Sequence, residues 1–251
     1  MHMTSSLIPP SPVLVKTLNA ILESHGISRV VLAAHSYGTF LASTVLRRPF
    51  HSSSGGGYDQ DGDVELEART KLLNKLADVL LIDPVSILLH FPAVAHNFLY
   101  RAPREASEWQ LWYFASTDGD VARTLGRGMF WEEGAVWKDD LKRIMRGEDG
   151  ADGVHYGDGV NGGMGGRKKC RNLAVVLAGK DQIVPAEIVR RYLTDDSEPM
   201  ERWRAKGWGG DDVDGGDLEV LYHAGLDHAT ALDTPGSRRD ILDVLHTFVV
   251  R

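Results

Sequence analysis

Two apolar runs without polar alternation constrain this chain more than any other feature. They are Ala77–Asp83 (ADVLLID) and Asn172–Ala178 (NLAVVLA). A strand covered on both faces has no solvent side to alternate toward, so such runs read as buried parallel strands. Val30–Ala34 and Leu218–Tyr222 read as two more strands. Helical patterns lie between them. Ser11-Pro12 opens a first helix as cap and first-turn proline, Gly26 closes it, and Leu14, Leu18, Ile21 and Leu22 share one face. A second helix runs from Gly38 to Arg48, a third precedes Ala77, and a fourth spans Pro185 to Leu193. The last helix carries Ile241, Leu245, Phe248 and Val249 on one face. Strands alternating with helices predict an α/β chain, a parallel sheet of about four strands flanked by helices.

The segment 84–146 shows no strand pattern and reads as an aromatic-rich helical insertion, with Phe98, Tyr100, Trp109, Trp112, Tyr113, Phe114, Phe130, Trp131 and Trp137. Stretches 51–63, 147–167 and 207–217 are rich in glycine and polar residues and read as flexible insertions. One domain over 1–251 accommodates all of these.

Bulk properties exclude several classes. The net charge is −7 with no basic stripe, which argues against nucleic-acid binding. Cys170 is the only cysteine, so no intramolecular disulfide forms and the redox compartment is unconstrained. No apolar run reaches the roughly eighteen residues that span a bilayer. Met1-His2-Met3-Thr4 lacks a signal peptide's basic head and apolar middle. The compartment is therefore unassigned, with the cytoplasm as default. Gly157–Gly162 matches a dinucleotide fingerprint by letter, without the strand and helix it needs. Asp59, Asp61 and Asp63 imitate a calcium loop, but Val64 and Thr70 stand where glycine and glutamate are required. No cofactor or metal is implied, and the expected partner is a small-molecule substrate.

Polar groups gather beyond the carboxyl ends of strands in such sheets. Ser36 follows the first strand in Ala34-His35-Ser36-Tyr37-Gly38, on a strand-to-helix turn whose small flanking residues suit tight packing. Asp181 follows the third strand in Gly179-Lys180-Asp181. His228 follows the fourth in Gly225-Leu226-Asp227-His228. In this order a serine nucleophile, an acid and a base have natural roles: His228 takes the Ser36 proton, and Asp181 orients the imidazole. Blander readings make Ser36 or Asp181 helix caps. Asp83 is the alternative acid, read here as a turn former ahead of Pro84. His223 competes with His228 for the base, and His35 reads as a packing residue.

The motifs AHSYG, AGKDQIVP and AGLDHA, in this order and each after a strand, resemble the α/β-hydrolase superfamily of the serine-nucleophile type. With LIDPV and WQLWYFAS the chain is similar to a fungal branch of it. The resemblance implies a partial α/β-hydrolase fold and hydrolysis of an ester-type, hydrophobic substrate through an acyl-enzyme. It implies that 84–146 is a lid over Ser36. It also implies that four strands ahead of the Ser36 strand are missing, together with the loop giving a second oxyanion N–H, which leaves the Tyr37 backbone N–H for that role. Val30–Ala34 would then be an open apolar edge suited to self-association. The alternative expectation is a truncated, inactive remnant or an interaction module.

Overall fold

The computed structural model describes residues 9–47, 60–147, 170–208 and 215–250, with side chains from residue 66 in the second stretch. Among the described residues five strands form one sheet: β1 Val30–His35, β2 Leu76–Ile82, β3 Leu173–Ala178, β4 Arg202–Ala205 and β5 Leu218–His223, in the order β1-β2-β3-β5-β4. All pairings are parallel except β4 with β5. β2 and β3 are buried at every position, as their unalternating sequences require.

The expected sheet had about four strands; β4 is the addition. It is short, with charged residues at alternate positions, and Arg202 and Arg204 both pair with Glu219 of β5. An antiparallel edge strand of this kind carries no buried run for the sequence to show. At the opposite edge lies β1, an apolar strand paired on one side only among the described residues.

The helices are α1 Ser11–Ser24, α2 Tyr37–Leu46, α3 Gln60–Lys75, α4 Ala93–Leu99, α5 Ala106–Leu111, α6 Gly119–Arg127, α7 Trp131–Gly134, α8 Lys138–Met145, α9 Ala186–Thr194 and α10 Pro235–Val250, with a π-helical turn over Trp112–Ser116. One core joins residues of α1–α4, α8 and α9 to the sheet. On the other face, Ile241, Val244 and Phe248 of α10 cover Leu80, Ile82, Ala174, Val176 and Leu221.

Details of two helices differ from expectation. Ser11 is the first residue of α1 and Pro10 the cap, without a side-chain capping bond. The buried stripe of α1 is Val15 and Asn19, flanked by Leu18 and Leu22, while Ile21 is exposed, because Asn19 donates to the Ala68 carbonyl of α3 and turns that face inward. In α10, Val244 is buried and Val249 exposed. Gly26 closes α1 at φ +64°, a conformation that glycine adopts without strain.

Arg171 just ahead of β3 is fully buried and donates to the carbonyls of Leu73, Leu76 and Ile144. It stitches the end of α3 and the start of β2 to α8. Of the three insertions, residues 51–59, 148–167 and 209–214 lie outside the described residues, while 60–63 form the first turn of α3. The fingerprint Gly157–Gly162 and Asp59 lie outside as well; Asp61 and Asp63 are helical.

Candidate active site

The parallel register sets β1, β2, β3 and β5 side by side with their carboxyl ends together: His35 lies opposite Ile82, and Ala178 opposite His223. Ser36 leaves β1 as its N–H donates to the Ile82 carbonyl at 2.9 Å. It sits at φ 51°, ψ −122°, a strained conformation for a residue with a side chain. Thr39 holds it there, its N–H and Oγ1 both donating to the Ser36 carbonyl at 2.9 and 2.7 Å. Tyr37 is the first residue of α2, so its N–H is among those a helix leaves without an intrahelical acceptor. The tight-packing argument for small flanking residues holds for Ala34, which is buried, but not for Gly38, where a Cβ would meet nothing within 4 Å.

Ser36, His228 and Asp181 form one hydrogen-bonded chain. His228 Nε2 lies 2.7 Å from Ser36 Oγ, and Nδ1 lies 2.7 Å from Asp181 Oδ2. The other Asp181 oxygen accepts from the N–H groups of Ile183 and Val184 at 2.7 and 2.8 Å. Asp181 thus shapes its own turn with one oxygen and reaches the imidazole with the other. The acid and base loops are tied together further: Gly179 N–H donates to His223 O, and Lys180 N–H to Leu226 O. A Cβ on Gly179 would stand 2.6 Å from the Ala224 Cα, so only glycine permits this approach.

Asp83 lies closer to this chain than a turn former needs. At φ 44° beyond β2 it is fully buried. Its Oδ1 accepts from Ala178 N–H at 3.0 Å and its Oδ2 from Ala229 N–H at 2.9 Å. His35 Nε2 is 3.8 Å from Oδ2, and the His35 ring centroid is 5.6 Å from that of His228. His223 stays apart, with Nε2 4.0 Å from Asp240. Ligand atoms of Asp83, Asp181 and His228 lie within 4.8 Å of one another. Each of those oxygens and ring nitrogens already has a hydrogen-bond or ion-pair partner within the protein, an arrangement of acid and base rather than an open ligand set.

Electrostatics follow from this packing. Burial works against the charged form of His228, but the hydrogen bond and charge of Asp181, with the charge of Asp83, outweigh it and raise the imidazole above its ordinary 6.5. Burial likewise opposes ionisation of Asp83; the contacts with His35, His228 and two backbone N–H groups overcome it and hold the carboxyl below its ordinary value. Burial pushes the Tyr37 hydroxyl up to about 12.

A cavity of about 40 Å³ opens beside Ser36, lined by Tyr37, Ile183 and, from the insertion, Val85, Val94, Ala95, Phe98, Leu99, Leu125 and Met129. Its walls are thus almost wholly apolar. The tryptophans and tyrosines of the insertion are not its lining: Tyr100 is 76% exposed and Tyr113 68%. The insertion is anchored to the acid loop by Asn97, whose Nδ2 donates to Ile183 O at 3.1 Å. Sequence reasoning missed Gln182, whose Oε1 accepts the His228 N–H at 3.1 Å, and both backbone ties of Asp83. Only the adjacency of Gln182 to Asp181 hinted at its place.

No family model and no curated protein matches the chain. Among solved structures it is similar to 2-hydroxy-6-oxo-6-phenylhexa-2,4-dienoate hydrolase from Rhodococcus sp. strain RHA1, at 14% identity and TM-score 0.43, over 91% of this chain and 67% of that one. It is similar to a structure from a study of carboxylesterases of the thaumarchaeon Nitrososphaera gargenis, at 14% identity and TM-score 0.43, over 100% of this chain and 75% of that one. A serine hydrolase from Cycloclasticus zankles matches at 12% identity and TM-score 0.45, over 98% of this chain and 75% of that one. At such identities and scores, the chemistry is read from the site itself.

Proposed function

We propose that the protein is a serine hydrolase of the α/β-hydrolase type, cleaving esters of short apolar acids through an acyl-enzyme. One observation carries this reading: the unbroken chain Ser36 Oγ–His228 Nε2 and His228 Nδ1–Asp181 Oδ2, with both links at 2.7 Å. A serine hydroxyl is a weak nucleophile until a base removes its proton as it attacks. His228 takes that proton, and Asp181 holds Nδ1–H and stabilises the imidazolium. The oxyanion forms beside the N-terminus of α2, where the Tyr37 N–H and the helix dipole meet it. His228 then gives the proton to the leaving alcohol, and water repeats the sequence to release the acid.

The apolar cavity supports an apolar acyl group. At about 40 Å³ it has room for roughly three water-sized positions, which suits a short chain. The helical insertion acts as a lid whose α4 and α6 side chains exclude water from the acyl group. Hydrolysis of p-nitrophenyl esters from acetate to dodecanoate tests this. Highest kcat/KM at acetate to butanoate supports the reading; turnover confined to long chains, or no turnover of any ester, refutes it.

Among the described residues β1 has a neighbour on one side only, which favours a second property. Val30–His35 contains no proline and no lysine to blunt that edge. We propose that two copies pair there through their backbones.

A further inference from the structure

We infer that Asp83 is a positioning residue for His228, resting on the hydrolase reading above: its carboxylate clamps the strand end that leads to the acid and the loop that carries the base. Ala178, which donates to Oδ1, is the last residue of β3, three positions ahead of Asp181. Ala229, which donates to Oδ2, directly follows His228 and sits at φ +68°. An alanine in that conformation is strained, and a buried anionic acceptor is what holds it. This side chain adds a buried anionic tie to the Gly179–His223, Lys180–Leu226 and His228–Gln182 bonds that hold Asp181 and His228 at 2.7 Å.

The clamp also places a second anion beneath the imidazole. The titratable groups around His228 are Asp181 on the β3 loop, Asp83 beyond β2 and His35 at the end of β1. His35 Nε2 is buried without a hydrogen bond and lies 3.8 Å from Asp83 Oδ2. Asp83 is thus shared between two histidines, with neither close enough to replace its backbone bonds. When His228 accepts the Ser36 proton, the resulting cation lies near two carboxylates instead of one. Asp83 touches no substrate; it acts through His228.

The test is the rate of Ser36 labelling by a fluorophosphonate as a function of pH, in the intact protein and in Asp83→Asn. Asparagine keeps one acceptor oxygen but turns an N–H₂ toward the other backbone N–H and carries no charge. The plateau rate is expected to fall about tenfold or more, the loss of one buried charge-assisted bond. The acid limb is expected to move down by about half a pH unit or more, since removing an anion makes the imidazole less basic. A limb that stays in place in folded Asp83→Asn overturns the inference, because a merely structural carboxylate would lower stability without moving it. Should that variant fail to fold, amide exchange in the unaltered protein decides. Ala229 N–H is expected to exchange at least tenfold more slowly than a free loop amide, and exchange at the free rate overturns the clamp. If the unaltered protein is not labelled at all, the hydrolase reading fails instead, while slow Ala229 exchange would leave the clamp standing.

Discussion

Ser36 and His228 stand 192 positions apart in the chain, yet Oγ and Nε2 are 2.7 Å from each other. Nothing local produces that contact. It depends on β1, β2, β3 and β5 lying in parallel register, so that a turn after the first and a loop after the last open at the same end of the sheet. The strained Ser36 backbone and the left-handed Ala229 flank the contact from its two sides. Both are conformations that the surrounding bonds must hold.

Removing the charge of Asp181 separates it from Asp83 as the acid. In Asp181→Asn the imidazole loses its orienting anion, and kcat is expected to fall by about 10³–10⁴. Steady-state ester hydrolysis measures it. A fall smaller than that of Asp83→Asn would reverse the two assignments.

The pH dependence has a defined sign. The proposed mechanism needs neutral His228, and the folded protein holds this group above 6.5. The acid limb of kcat/KM is therefore expected above pH 6.5 rather than below it. The same raised value adds stability in full below pH 6.5, and this contribution is lost as pH rises through the folded pKa. A pH–rate profile with its limb below that value contradicts the assigned environment.

Arg171→Met tests the buried stitch between α3, β2 and α8. The methionine fills space but leaves the carbonyls of Leu73, Leu76 and Ile144 without the guanidinium. Ile144 O keeps the Gly147 N–H at 3.1 Å, so with about 1–3 kcal/mol for each of the other two acceptors the loss is about 2 kcal/mol or more. Urea denaturation reads it directly, and a change under 1 kcal/mol would mean that other donors take over.

The β1 edge predicts concentration-dependent dimers. Sedimentation velocity is expected to show them in the unaltered protein. Ala33 is the exposed residue of the strand, and Ala33→Lys is expected to shift the population to monomer. A protein monomeric at every concentration contradicts the pairing.

The legible parts of this fold were those with one dominant physical cause. β2 and β3 are buried on both faces, so their runs of valine, leucine and alanine mark them within one residue of where they lie. Ser36, Asp181 and His228 stood out because each follows a strand pattern in a short motif, although β1 and β5 are only partly buried. β4 was not visible, since its arginines answer to Glu219 across the ladder and not to a core. The burial of α1 was rotated by Asn19, a polar residue that hydropathy spacing discounts. Asp83 was read through its neighbour Pro84, whereas its role comes from Ala178 and Ala229, about 95 and 146 positions away. Long-range backbone donors of this kind leave no local pattern.

The central claim is that Ser36 is a nucleophile driven by His228. Treatment with a fluorophosphonate followed by peptide mass mapping measures it most directly. The account predicts a single phosphonylated peptide containing Ser36, absent in Ser36→Ala and slowed about 10³-fold or more in His228→Gln. Folded protein that takes up no label, or label that persists in Ser36→Ala, would contradict it.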